Sequence, residues 1–252
     1  MAGKKSKSAS AVAHAKKMAE AAKAAFDTFD AAVAAMEQAV PDDDITHVTI
    51  LLDRSGSMAA IQDDVIGGVN SYLDGLAEDS NAYAVTMILF DTRDPHELLC
   101  TGADPRMAPR LNHSNFQPRG GTPLLDAVGR AIAKLRNVAR ATDKAIFVVY
   151  TDGEENSSRE FDRACISKMV AGCDEAGWAF VFMGAGIDAF KEARDLGFSV
   201  RNTVSVGVTR QSVGTSYDKL FSKTTGYAAT GNAGVVGFTS QDRADMADDK
   251  KT

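Results

Sequence analysis

Hydrophobic positions along the chain follow two different rhythms. Phe26, Phe29, Val33, Met36 and Val40 recur at spacings of three and four, which predicts one narrow apolar stripe on an alanine-rich helix over about residues 10–40. Pro41 and the acids Asp42, Asp43 and Asp44 end that helix. From residue 45 the rhythm alternates between strand-like and helix-like segments. Ile45–Leu52, Tyr83–Phe90, Ala145–Tyr150 and Trp178–Met183 are β-branched or aromatic and almost continuously apolar, as buried strands are. Glu97–Thr101 is expected as a short edge strand and Phe198–Val206 as the last strand. Between them, Ile61, Val65, Val69, Tyr72, Leu73 and Leu76 recur at helical spacing. Further helices are expected over Pro123–Leu135, Phe161–Ala176 and Asp188–Leu196, and a final one within 207–227 around Tyr217, Leu220 and Phe221. Such alternation implies right-handed crossovers and a mainly parallel sheet with helices on both faces.

Three regions follow: a helical extension over 1–44, an α/β domain over 45–227, and a tail over 228–252 rich in Gly, Ala and charge and expected to be extended or partly disordered. The extension is basic over residues 1–25, with six lysines against one acid, and acidic over 26–44, with six acids and no base. Its stripe has three possible partners: the protein's own domain, a second copy, or a foreign chain. Residues 91–121 form a long irregular segment containing Pro95, Pro105, Pro109 and Pro118, the kind of connection that usually serves a function.

Composition narrows the field. The 252 residues are 44% hydrophobic and 25% charged, an ordinary globular balance. No apolar run reaches the roughly 18 residues of a membrane span. A net charge of −6 argues against a nucleic-acid binder, which needs a basic face. The three cysteines, Cys100, Cys165 and Cys173, have no C-x-x-C spacing and read as reduced thiols. The histidines are scattered, so a zinc hydrolase is not expected. The N-terminal segment carries Glu20, Asp27 and Asp30 where a secretory signal would be apolar, so a cytosolic bacterial or phage product is expected, with a virion as the alternative.

The chemistry gathers at strand ends. The strand Ile45–Leu52 runs into Asp53-Arg54-Ser55-Gly56-Ser57-Met58 and then a helix. Ligand sites of open α/β sheets lie at this carboxyl edge. Alternate residues of a tight turn can face one point, so Asp53, Ser55 and Ser57 can converge. Their hard oxygens suit magnesium, manganese or calcium rather than zinc or copper. Gly120-Gly121-Thr122-Pro123 opens a helix and offers another hydroxyl. Thr151-Asp152-Gly153 follows the strand Ala145–Tyr150, and Asp152 would face the first motif if the two strands are neighbours. Simpler readings exist for each motif. Ser57 and Thr122 can be helix caps, and Asp152-Gly153 a plain turn.

Together, Asp53-x-Ser55-x-Ser57, Thr122 and Thr151-Asp152-Gly153 resemble the metal-ion-dependent adhesion site of the von Willebrand factor type A family, over about residues 45–206. The resemblance implies a doubly wound sheet of about six strands with one antiparallel edge strand. It implies that Ser55, Ser57 and Thr122 coordinate a Mg²⁺-type ion directly or nearly so, with Mn²⁺ or Ca²⁺ as alternatives. Asp53 and Asp152 would assist by direct contact or through water.

No P-loop or nucleophile elbow is present, and Gly184-Ala185-Gly186 reads as a turn. A phosphatase-like reading would want a second acid where Ser55 stands, and Lys144 lies at the wrong end of its strand. The expected function is therefore a cation-dependent protein-binding module, in which a partner's Asp or Glu fills the ion's open position. The segments 91–121 and Glu154–Arg159 would form its rim. Two rival readings are a structural virion or assembly component packing through residues 10–40, and a metal-dependent hydrolase.

Overall fold

The computed structural model describes residues 45–140 and 143–247. The expected helix over 10–40, its stripe and its self-association lie outside the described residues.

Six strands form one sheet: β1 Thr46–Asp53, β2 Tyr83–Phe90, β3 Glu97–Ala103, β4 Lys144–Thr151, β5 Ala179–Ala185 and β6 Thr203–Val206. Their order is β3-β2-β1-β4-β5-β6, and every neighbouring pair is parallel except β2 with β3. The antiparallel edge strand is the one expected from Glu97–Thr101.

Side-chain alternation splits the sheet's apolar residues between two cores. Val48, Ile50 and Leu52 of β1 and Ile146, Val148 and Tyr150 of β4 face one side. There they meet α1 (Gln62–Glu78) and α5 (Arg210–Thr230) through Val65, Val69, Tyr72, Tyr217 and Leu220. Leu51, Phe147, Val149, Phe180 and Phe182 face the other side. They are covered by α2 (Leu124–Arg136), α3 (Arg163–Asp174) and α4 (Ala189–Leu196). Burial of each such side chain contributes about 1.5–3 kcal/mol, so the central strands anchor the domain.

The observed elements depart from the sequence pattern in four places. A 3₁₀ segment, Gly56–Ile61, stands between β1 and α1. The helix α2 begins at Leu124, with Pro123 as its cap rather than its first residue. The last strand is shorter than expected, because Gly197 closes α4 in the left-handed conformation at φ 82° and the 3₁₀ turn Val200–Asn202 precedes β6. Finally, the tail is not extended as far as residue 247. Helix α5 runs to Thr230, a 3₁₀ turn spans Ala233–Val236, and α6 spans Ser240–Met246. Val236, Phe238 and Met246 are buried in the first core. This segment also covers the β6 end of the sheet, where Gly207 N–H donates to Met246 C=O at 2.8 Å and Phe238 N–H to Arg201 C=O at 2.9 Å.

The site follows from the topology. After β1 the chain turns one way, to β2 and β3. It then returns across β1 and continues the other way through β4, β5 and β6. The crevice between the carboxyl ends of β1 and β4 is therefore the switch point of the sheet.

Candidate metal centre

Asp53 ends β1 and is fully buried. Its Oδ1 accepts the Ser55 amide at 2.6 Å, and its Oδ2 accepts the Thr151 hydroxyl at 2.5 Å and the Thr122 hydroxyl at 3.4 Å. All these donors are neutral. Burial outweighs them and pushes the carboxyl up to about 7. Asp152 is also raised, chiefly by burial, against a hydrogen bond from Ser57. Two desolvated carboxyls held only by neutral donors form an environment that a cation would relieve.

The five residues expected from the sequence lie together. Ser55 Oγ is 3.1 Å from Ser57 Oγ, and Ser57 Oγ donates to Asp152 Oδ1 at 2.7 Å. Thr122 Oγ1 lies against Asp53 Oδ2, and Asp53 Oδ1 takes the Ser55 amide, so the five residues line one ring-shaped site. The simpler readings of the hydroxyls do not hold. Neither the 3₁₀ segment nor α2 has a side-chain cap, and the Ser57 and Thr122 hydroxyls point into the site instead. Among the described residues no group of three or more His, Cys, Asp or Glu side chains could share an ion. A cation site must therefore draw on hydroxyls.

Local backbone contacts assemble this ring. Arg119 N–H donates to Arg54 C=O at 2.7 Å and Gly56 N–H to Gly120 C=O at 3.1 Å, so the segment before Thr122 zips onto the D-x-S-x-S turn. Gly120 has φ 69°, a conformation that side chains resist. Thr122 N–H donates to Asn156 Oδ1 at 3.0 Å, and Asn156 N–H returns to Thr122 C=O at 3.2 Å. The loop after β4 is pinned in turn by Asp126, whose carboxylate accepts the amides of Arg159, Glu160 and Phe161. Gly153 leaves no room for a side chain: a Cβ there would lie 2.6 Å from Thr122 Oγ1.

Sequence reasoning named Thr151 in its motif without a role, and it missed the Arg54–Asp91 neighbourhood. Arg54 turns away from the ring and donates to Asp91 Oδ2 at 2.7 Å and Glu97 Oε2 at 2.6 Å. Burial works against the Arg54 charge, but Glu97 and Asp91 hold it above its ordinary range. Burial likewise opposes the Asp91 charge, yet the Arg93 and Asp94 amides and Arg54 hold Asp91 below the ordinary carboxylate range. Asp91 directly follows β2, so the strand-end rule that singled out Asp53 also pointed to it.

The two expected rim segments both touch the Thr122 turn. Gly121 N–H donates to Thr92 Oγ1 at 3.1 Å, and Asn156 holds Thr122. A cleft of about 490 Å³ opens beside them, bounded by Thr92, Pro95, Pro123, Ser157 and Arg159.

No protein-family model matches the chain, and no curated protein does. Solved structures do. The chain is similar to a von Willebrand factor type A protein from Catenulispora acidiphila at 14% identity and a TM-score of 0.55, covering 73% of this chain and 43% of that one. It is similar to the pilus adhesin SpaC of Lactobacillus rhamnosus GG, in its open conformation, at 14% identity and a TM-score of 0.59, covering 73% and 30%. It is also similar to the manganese-loaded TRAP protein of Plasmodium vivax at 16% identity and a TM-score of 0.51, covering 66% and 69%. The chain thus spans less than half the length of the first two. The fold is an α/β fold of the von Willebrand factor type A kind.

Proposed function

We propose that this domain is a divalent-cation-dependent protein-binding module. Its ion is held by Asp53, Ser55, Ser57, Thr122 and Asp152, and a partner's Asp or Glu completes the ion's coordination. The carrying observation is the spacing of the oxygens. Ser55–Ser57, Ser57–Asp152 and Thr122–Asp53 are separated by 3.1, 2.7 and 3.4 Å. An octahedral ion with oxygen ligands at about 2.1 Å has ligand–ligand edges of about 3.0 Å, so oxygens this close together can share one divalent ion with little rearrangement. The manganese-loaded TRAP protein of similar fold supports the same ion class.

The ion would supply a Lewis-acidic point of attachment. With one oxygen from each of the five residues, one octahedral position stays open. That position would lie on the side of exposed Ser57 and half-buried Asp152. Binding is favoured over catalysis by the state of Asp53. It is fully buried, so a substrate cannot reach it as a nucleophile or base. The pilus adhesin among the similar structures agrees with a binding role.

The test is manganese titration by calorimetry or electron paramagnetic resonance. One site per chain is expected, lost in Asp53→Ala and weakened in Thr122→Ala. Equal uptake by the parent and by Asp53→Ala, Ser55→Ala and Asp152→Ala would remove the proposal.

A further inference from the structure

We infer that Arg119 is a positioning residue for the ion site: its guanidinium, locked between Asp91 and Glu97, holds the segment that presents the Thr122 hydroxyl. This inference rests on the metal-binding reading above.

The lock has an anchor, a shared pair of acids and a lever. Asp91 is the anchor. Its Oδ1 accepts the Arg93 and Asp94 amides at 2.7 and 3.1 Å, so its own turn fixes it. Its Oδ2 accepts Arg54 Nε at 2.7 Å and Arg119 Nε at 2.9 Å. Glu97, the first residue of edge strand β3, accepts the same two arginines, at 2.6 Å from Arg54 and 3.3 Å from Arg119. Two arginines therefore share two carboxylate oxygens, and the cluster is neutral overall. It adds no net charge to the neighbouring site, and its influence on the ion must be geometric.

The lever is the chain from Arg119 to Thr122. Arg119 N–H bonds the Arg54 carbonyl, Gly56 N–H bonds the Gly120 carbonyl, and Gly121 N–H bonds Thr92 Oγ1. Arg54 lies within the D-x-S-x-S turn itself. The cluster thus grips both strips of backbone that must meet at the ion: 53–57 through Arg54, and 119–122 through Arg119. The Thr122 hydroxyl is loosely held, with a 3.4 Å bond to Asp53 where the neighbouring Thr151 hydroxyl, not a ligand, has one of 2.5 Å. It is the oxygen whose place depends most on the lever. Outer residues that orient ligands typically change metal affinity about 10–100-fold when removed.

The test compares Arg119→Ala, Arg119→Lys, Glu97→Gln, Thr122→Ala and the double variant Arg119→Ala/Thr122→Ala with the parent. Both Arg119 and Glu97 are partly exposed, so these variants should fold. Manganese affinity should fall about tenfold or more in Arg119→Ala. It should fall less in Arg119→Lys, which keeps one ion pair but loses the fork. In the Thr122→Ala background the Arg119 change should add nothing, because the lever has no ligand left to place. Amide exchange of the ion-free protein gives a second readout. Gly56 and Thr122 should exchange faster in Arg119→Ala, while Val148 in the central strand stays unchanged. Additive affinity losses in the double variant, or unchanged affinity, would overturn the inference. If the parent takes up no manganese, the ion reading falls on its own. Exchange then decides: faster exchange at Gly56 and Thr122 supports the lock, and unchanged exchange overturns it.

Discussion

The Ser57 hydroxyl donates to Asp152 Oδ1 at 2.7 Å, joining residues that are 95 positions apart in the chain. The bond bridges the switch point between β1 and β4. Ser57 stands inside a 3₁₀ segment without capping it, so its hydroxyl is committed to the site and not to local backbone. The same holds for Thr122 beside α2. Helix-start residues that forgo capping leave their hydroxyls available as ligands.

Ion binding should appear as stability. Manganese at a hundredfold excess over its dissociation constant should stabilise the parent by about 2.7 kcal/mol. For a domain of this size that is roughly 5–11 °C in melting temperature. Asp53→Ala should lose the shift. Ser57→Ala should melt, without ion, within about 0.5 kcal/mol of the parent, because the residue is exposed. Its shift with manganese should be smaller than the parent's. Equal shifts in differential scanning fluorimetry for the parent and Asp53→Ala would contradict this.

Asp53 should make the ion-free protein less stable as pH rises. Burial pushes its carboxyl up to about 7 in the folded protein, against an ordinary value of 3.8. Between those values the folded state keeps a proton that the unfolded state has released. Its stabilising effect is therefore complete below about pH 4 and is lost as pH rises toward 7. The loss is at most about 1.4 kcal/mol per pH unit. Asp53→Asn should lack this slope. Manganese competes with the same proton, so its affinity should rise with pH by up to about tenfold per unit and level off above about 7. Urea midpoints from pH 4.5 to 8 would check the first expectation. Parallel profiles for the parent and Asp53→Asn would refute it.

Much of the fold was legible because period and burial coincide. Ala145–Tyr150 is apolar at every position, and the structure buries it on both faces between β1 and β5. The Asp53, Ser55 and Ser57 positions were legible because one short turn carries all three. Thr122 and Asp152 required the sheet order, which the alternation of elements left open and the family resemblance implied. The Arg54–Asp91–Glu97–Arg119 cluster was not legible. Its contacts span 22 to 43 positions across an irregular segment that has no period. The packed end of the chain was hidden for a related reason. Val236, Phe238 and Met246 sit among Gly, Ala and charged residues, too few and too scattered to make a periodic run. Only the uncovered core beside β6 gives them a destination.

The packed end therefore has a testable energetic role. Met246 is fully buried, and its carbonyl accepts the Gly207 amide just after β6. Met246→Ala should cost about 2–5 kcal/mol by the size of the cavity it leaves. A chain ending at residue 227 should lose more, since Val236 and Phe238 go with it. Chemical denaturation of both variants measures this. A 1–227 chain as stable as the parent would show that the segment contributes nothing.

Gly153 offers the sharpest separation of site geometry from fold. It follows Asp152, and a Cβ at this position would approach Thr122 Oγ1 to 2.6 Å and Asp53 Oδ2 to 3.6 Å. Ordinary contacts of this kind are wider, so Thr122 must move in Gly153→Ala. Its backbone φ is not in the left-handed region, so alanine brings no backbone strain of its own. The overpacking should cost about 1–3 kcal/mol. The displaced hydroxyl should weaken manganese binding as much as Thr122→Ala does, although Gly153→Ala deletes no ligand. Asp53 and Asp152 keep their charge in both variants, so any difference from the parent reports the position of the hydroxyl alone. Calorimetric titration of the two variants side by side tests this. If Gly153→Ala binds manganese like the parent while Thr122→Ala does not, the loop after β4 yields more easily than its pinning by Asp126 and Asn156 allows.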